Sequence, residues 1–473
     1  MNAHARIESA ALAETNAVEL TDSYKVSHWK QYPPGTRRIY SFFESRGGLF
    51  PGVTFFGLQY LLKRYLSGSV VTRENVEEAA EDFALHFGNP DIYNRAGWER
   101  ILKVHDGRIP VRIRAVPEGT TVPTKNVLMT IENTDPELPW ITNYVETILT
   151  HVWYPSTVAT QSREMRKLIN TFLEETGDPS LVDFKMHDFG FRGVSCVEQA
   201  GIGGAAHLVS FKGTDTFQGI RVARKYYNER MAGFSIPAAE HSTITSWGKE
   251  NEAKAFENML DTFPTGLVAV VSDSYDIFAA CKGLWGTQLR EKVLARDGTL
   301  VVRPDSGEPT DVVVKVLDLL GESFGYAVNG KGFKVLNPKI RVIQGDGIDF
   351  AMLGNVLEAM KKAGWSADNI AFGSGGGLLQ KLDRDTQKFA FKCSATEIDG
   401  KWQDVMKDPV TDSGKRSKAG RLALVRENGS YRTVLESEAS RLGLANELVP
   451  VFEDGRLLID QSFADVRARA LLD

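Results

Sequence analysis

From Phe184 to Gln380 the chain repeats one beat seven times: a short apolar run, a polar cluster where it ends, then a segment of helix length. The runs are carried by "FKMHD", "HLVSFKGTD", "GFSIPAAEH", "LVAVVSDSYD", "TLVVRPDSG", "IRVIQGDG" and "NIAFGSGGG". Near-continuous apolar strands that alternate with helices imply a parallel sheet covered on both faces. The polar exits are His187-Asp188, Thr214-Asp215, Glu240-His241, Ser272-Asp273, Arg303-Pro304-Asp305, Gly345-Asp346 and Gly375-Gly376-Gly377. In a βα barrel such exits meet on one rim, where active sites are built. An open doubly wound sheet would scatter them around a switch point. The expected fold is therefore α/β, an irregular (βα) barrel of about seven parallel strands, with His241 aimed into a shared polar rim.

The flanks follow another rule. "IPVRIRAVPEGTTVPTKNVLMTIENT" alternates and is cut by Pro and Gly, and the C-terminal part carries hairpin signals at Asp399-Gly400 and Asn428-Gly429. Both ends are expected to form an α+β domain, from residues 1–157 and 391–473, around a barrel at 158–390. A chain of 473 residues exceeds what one core supports, which agrees with two domains.

Composition removes several classes. A net charge of −5 gives no general attraction to nucleic acid or to an anionic membrane. Cys196, Cys281 and Cys393 are far apart and form no C-x-x-C pair, which argues against a zinc site or a disulfide framework. No apolar run reaches spanning length. The start "MNAHARIESAALAETNAVEL" lacks a signal-peptide core and reads as a loose tail. The expectation is a cytoplasmic protein.

Individual motifs each have a plain structural reading beside the chemical one. "FGSGGGLLQ" can cradle an anion on backbone N–H groups at a helix start, or simply close a turn; no G-K-[ST] follows, so it is not a Walker loop. "GIGGAAH" imitates a dinucleotide fingerprint, but no strand precedes its first glycine, so a close-packed helix is expected. "VVRPDSG" sets Arg303 and Asp305 two apart, a guanidinium and a carboxylate suited to a phosphate beside a ribose diol. "KDPVTDSGKRSKAGR" is a solvated loop or a cationic collar for a polyanion. "LTDSYKVSHWKQYPP" and "YSFFESRGG" place Asp22, Tyr24 and Arg46 among aromatics, which fits a core edge.

Taken together and in order, "TDSYKVSHWKQYPP", "HDFGFRG", "FKGTDT", "PAAEHST", "VVSDSYD", "RPDSG", "IQGDG", "FGSGGGLLQK" and "KDP…KRSK" make the chain resemble the nicotinamide phosphoribosyltransferases, type II phosphoribosyltransferases. The resemblance implies a homodimer with shared sites, and coupling of nicotinamide to 5-phosphoribosyl-1-pyrophosphate with Mg²⁺ as cofactor. ATP would act as co-substrate through a phosphorylated His241. It implies that Phe189 and Tyr24, the latter from the other subunit, sandwich the pyridine ring, with Asp22 nearby. Asp215 would accept the carboxamide N–H, and Arg192 would lie near ring and pyrophosphate. Arg303, Pro304, Asp305, Gly345 and Asp346 would hold the ribose, and Gly375, Gly376 and Arg384 the 5-phosphate. Arg46, Lys392, Lys407 and Lys415 would surround the pyrophosphate or ATP phosphates; the metal ligands stay open. A carboxylate should fix one nitrogen of His241, with Asp273 preferred and Glu240 second. Vertebrate members carry Ser where this chain has Ala269, so one hydroxyl contact to the amide oxygen would be missing. The readings to be separated from this one are a nicotinate phosphoribosyltransferase, a non-catalytic binding or signalling protein on the scaffold, and a dinucleotide-dependent oxidoreductase.

Overall fold

The structure is a computed structural model that describes residues 15–408, 411 and 417–471. It divides into two compact units, one of Met1–Thr160 with Asp383–Asp473 and one of Gln161–Leu382. The sequence reading had put the breaks at 157/158 and 390/391. The later one moves because Asp383–Lys388 is tied to the N-terminal strand: Arg46 and Leu49 donate N–H to the carbonyls of Lys388 and Thr386.

The Gln161–Leu382 unit holds six parallel strands: β1 (Met186–Asp188), β2 (Gly213–Thr214), β3 (Thr265–Val271), β4 (Asp297–Arg303), β5 (Ile340–Gln344) and β6 (Ile370–Ser374). They pair in the order β2-β1-β6-β5-β4-β3. The gap between β2 and β3 is spanned by residues 234–239. Phe234 bridges Gly213 and Ala238 bridges Ala269, both parallel. The N–H of Thr214 reaches Phe234 O at 2.9 Å, and Ala269 N reaches Pro237 O at 2.9 Å. Seven wall elements therefore follow one another in chain order, as the beat implies, but the third is not a regular strand. Pro237 has no N–H to give a ladder, which reduces this segment to isolated bridges.

Helices follow the strands: α1 (Val197–His207), α2 (Phe217–Tyr227), α3 (His241–Thr245), α4 (Glu252–Thr262), α5 (Pro309–Phe324) and α6 (Phe350–Lys362). Pro309 opens α5, where its missing N–H costs nothing. "GIGGAAH" lies inside α1. A Cβ at Gly219 would meet Gly204 C at 2.6 Å, so the glycines serve the α1–α2 crossing and no fingerprint turn exists. The single helix expected after His241 is two. α3 ends at Thr245, Gly248 takes φ +80°, and α4 starts at Glu252.

The other unit is built from both chain ends. Its seven-stranded sheet runs Lys401–Asp404, Phe389–Ile398, Thr36–Ser45, Val127–Asn133, Val111–Ala115, Val449–Glu453 and Arg456–Leu457, with every pair antiparallel. Both hairpin signals turn as read. Asp399 and Gly400 have φ +49° and +77°, Asn428 and Gly429 +50° and +81°, the left-handed pair that a two-residue hairpin loop requires. The N-terminal tail is looser in expectation than in fact. Asn16 caps a turn at Ala17–Glu19, and Val18 is fully buried; residues 1–14 lie outside the described residues. Among the described residues no helix is long and apolar enough to cross a membrane.

Candidate active site

The barrel lumen has an apolar floor. Ala269 of β3, Val301 of β4 and Ile343 of β5 form a buried cluster against which Phe189, Ile236 and Ala371 pack. Below it the lumen is not filled: a cavity of about 380 Å³ reaches His187, Ser235 and Leu267. Phe189 follows β1 directly, and its N–H donates to Ser374 O at 3.0 Å. Its ring lies across β5 and β6 because both are bare there. A Cβ on Gly373 would stand 1.9 Å from Phe189 Cε2, and one on Gly345 would stand 3.2 Å from the same atom. The Gly345 position is also 3.8 Å from Asp305 Oδ1, so one bare spot adjoins both an aromatic face and a carboxylate.

Under this turn Asp188 is fully buried. Its Oδ1 accepts Gly190 N–H at 2.7 Å and its backbone O accepts Asp215 N–H at 2.9 Å. Burial, reinforced by the neighbouring Asp215, pushes its carboxyl up to about 7 against the pull of Gly190 N–H and Thr216. Burial likewise lowers His187, with Asp215 opposing. Asp215 itself is exposed at the exit of β2 and takes a hydrogen bond from Ser235 Oγ.

His241 is the first residue of α3, and Glu240 occupies the N-cap position. The two candidate partners are separated by geometry. Asp273 Oδ1 meets His241 Nε2 at 2.9 Å, whereas Glu240 accepts from Ser242 Oγ. The imidazole is 46% exposed over an Asp273 side chain that is 4% exposed, so a buried acceptor orients a reachable ring. Asp305 Oδ2 stands 3.9 Å from Nδ1, and Arg303 donates to Asp305 Oδ1 at 3.0 Å. Burial raises the Asp305 carboxyl, with Arg303 and His241 pulling it down and Asp273 and Asp346 pushing it up. Arg303, Asp305, Gly345 and Asp346 thus share one edge of the rim, with buried Pro304 between the first two. Arg192 lies exposed on the turn Phe191–Gly193 that follows Phe189.

The three glycines after β6 differ in use. Gly375 is the N-cap and Gly376 the first residue of a four-residue turn of helix, Gly376–Leu379; a Cβ there would make only ordinary contacts, with Phe189 O at 3.4 Å and Gln380 Oε1 at 3.5 Å. Gly377 is a packing residue, since a Cβ there would meet Ile348 O at 2.8 Å.

The remaining candidates belong to the other unit. Arg384, expected beside Gly375 and Gly376, lines a pocket of about 760 Å³ with Arg46, Lys388 and Lys392. Burial lowers the Lys392 ammonium; Glu146 opposes this, and Arg46, Lys407 and Arg384 add to it. Arg46 Nε is held at 3.3 Å by buried Glu44, which also receives Lys418. Lys407 O accepts Ser417 N–H at 2.9 Å and Lys407 N–H donates to Ser417 Oγ at 2.9 Å, so the two sides of the collar meet at these residues. Lys415 lies outside the described residues. Asp22 accepts Thr147 Oγ1 at 2.7 Å, and Tyr24 is 59% exposed.

Sequence reasoning missed Gly373, Ser235 and Ser306. A signal existed for the first, because glycine inside a strand marks a close approach. We expect Gly373→Ala to displace Phe189, raising KM for the pyridine substrate about tenfold or more. A second substitution, Phe189→Ala, should add little on top, because the two act through one contact. Additive losses in the double variant count against this seat.

Comparisons with known proteins place this architecture. Residues 184–444 match the family model for the nicotinate phosphoribosyltransferase (NAPRTase) family, and residues 16–113 match the nicotinamide phosphoribosyltransferase N-terminal domain. A nicotinamide phosphoribosyltransferase of Xanthomonas campestris pv. campestris (strain 8004) is 54% identical over 458 residues, covering 95% of this chain and 97% of the relative. One of Acinetobacter baylyi (strain ATCC 33305 / BD413 / ADP1) is 30% identical, covering 96% and 97%. Among solved structures, nicotinate-nucleotide pyrophosphorylase from Pyrococcus furiosus superposes with TM-score 0.59 at 16% identity, covering 96% of this chain and 94% of that one. Human nicotinic acid phosphoribosyltransferase gives 0.56 at 16%, covering 95% and 92%. These structural likenesses bear on the fold, and the sequence relatives decide the grouping: the chain belongs to the NAPRTase family, among its nicotinamide phosphoribosyltransferases.

Proposed function

We propose that this chain joins nicotinamide to 5-phosphoribosyl-1-pyrophosphate, giving nicotinamide mononucleotide and pyrophosphate in NAD salvage. The observation that carries the reading is the bare Gly345 position, which adjoins the Phe189 ring and the Asp305 carboxylate together. A flat electron-poor ring that turns cationic as it gains the ribose suits an aromatic face. A carboxylate gripped by Arg303 suits the ribose hydroxyls beside it. Glycosyl transfer breaks the C1–O bond to pyrophosphate through an oxocarbenium-like state, and cations aimed at the leaving group lower that barrier. Arg46, Arg384 and Lys392 fit that demand, and Asp22, Tyr24, Lys407 and Lys415 complete the proposed set. Supply of Asp22, Tyr24 and Arg384 from the second subunit of a homodimer is part of the reading, as is a cytoplasmic setting.

ATP would enter through His241. Asp273 holds Nε2, which leaves Nδ1 to take the γ-phosphoryl group. The Pγ–O bond to ADP breaks as Nδ1–Pγ forms, and ADP leaves with the electron pair. Among the described residues no group of three or more His, Cys, Asp or Glu is arranged to hold a metal ion. This suits Mg²⁺, which keeps waters and binds through substrate phosphates with one or two carboxylates, here Asp305 and Asp346. When bound it would neutralise pyrophosphate charge.

A product assay tests the whole. With phosphoribosyl pyrophosphate and equal nicotinamide and nicotinate, the amide mononucleotide should dominate, and more form with ATP. Predominant nicotinate mononucleotide would favour the nicotinate phosphoribosyltransferase reading. No product from either acceptor would favour a binding protein.

A further inference from the structure

The turn that leaves β4 reaches His241 by two routes. Asp305 stands 3.9 Å from Nδ1. One residue later, Ser306 Oγ donates to Asp273 Oδ2 at 2.6 Å, while Asp273 Oδ1 engages His241 Nε2 at 2.9 Å. Both oxygens of the nearly buried Asp273 carboxylate are therefore spoken for, one by the imidazole and one by this hydroxyl. The turn is itself pinned: Gly307 takes φ +88°, a Cβ there would meet Val312 Cγ2 at 2.8 Å, and Pro309 starts α5 two residues on.

We propose that Ser306 is a positioning residue for His241, which fixes the Asp273 carboxylate so that the imidazole presents Nδ1 to an incoming phosphoryl group. The inference rests on the phosphohistidine reading given above. Its physical basis is direct. A carboxylate with one anchored oxygen swings about its last torsion, and the second anchor removes that freedom. A buried oxygen left without its donor also destabilises the arrangement, because hydrogen bonds to charged groups are among the stronger ones. Since Ser306 is adjacent to Asp305, the same turn ties the posture of the histidine to the carboxylate assigned to ribose.

Ser306 is exposed, so removing its hydroxyl leaves no core cavity. The test compares wild type, Ser306→Ala and Ser306→Thr in the full-length enzyme, measuring two rates on each preparation. One is the initial incorporation of acid-labile label from γ-labelled ATP at residue 241; the other is synthesis without ATP. The ratio of labelling to ATP-independent synthesis should fall about tenfold in Ser306→Ala. Ser306→Thr, which keeps the hydroxyl, should recover most of it. An unchanged ratio in Ser306→Ala overturns the inference, whether the two rates hold steady or drop together, because a merely structural turn would affect both alike. Wild-type enzyme that takes no label at His241 removes the phosphohistidine reading itself, and this inference with it.

Discussion

Wild-type enzyme should turn over nicotinamide far better than nicotinate, and Asp215→Ser should lose much of that preference. The argument is electrostatic. Asp215 sits at the exit of β2, beside the turn that carries Phe189, with Ser235 donating to one of its oxygens. A carboxamide can donate N–H to the other oxygen, whereas nicotinate brings a second negative charge. At ~4 Å with an effective dielectric near 20, that repulsion is about 4 kcal/mol. It corresponds to roughly a thousandfold in affinity. Asp215 is exposed, and solvent screening lowers the figure, which therefore stands as a ceiling. Ala269 lies in the apolar floor and offers no hydroxyl, so it should weaken amide binding modestly without admitting the acid. The measurement is kcat/KM for both substrates on both enzymes. A ratio untouched by the substitution, or a wild type that prefers nicotinate, would show that selection is made elsewhere.

His241→Ala should lose ATP hydrolysis and ATP stimulation together while slow ATP-independent synthesis survives. The imidazole engages Asp273 and stands 3.9 Å from Asp305, and the reading proposed above gives it phosphoryl transfer rather than the glycosyl bond. Label from γ-labelled ATP that resists base and yields to acid should appear on wild type and be absent from the variant. Label persisting in the variant would move the acceptor to another residue. Complete loss of ATP-independent synthesis in a folded variant would place His241 in bond making on the ribose.

The barrel was legible because each apolar run ends in a polar exit, and a parallel sheet repeats that pattern every time the chain crosses it. The hairpins were legible for an equally local reason, since Asp-Gly and Asn-Gly tolerate positive φ. Pro237 was the overlooked local sign: it explains why 234–239 bridges its neighbours and does not ladder with them. The rest is not local. Glu44 gathers Arg46 and Lys418 from positions 374 residues apart in the latter case, and no spacing in the chain announces that meeting. Ser306 carries no local signal beside Arg303 and Asp305, because its partner, Asp273, is 33 residues upstream. Glu240 and Asp273 were both reasonable companions for His241 until the α3 start turned Glu240 towards Ser242.

The seat of Phe189 is shaped by atoms that are missing, and this restricts how the pocket can be inherited. Around the ring of wall elements, β1, β6 and β5 are neighbours, and they carry Phe189, Gly373 and Gly345 in turn. A side chain at Gly373 collides with the ring and one at Gly345 presses on it, so that arc tolerates few substitutions. The opposite arc, formed by β2, residues 234–239 and β3, presents Asp215, Ser235 and Ala269, none of which is confined by a main-chain approach to the ring. On the reading proposed above, the aromatic side works as a fixed jaw, and substitutions on the amide side are the ones expected to shift substrate preference.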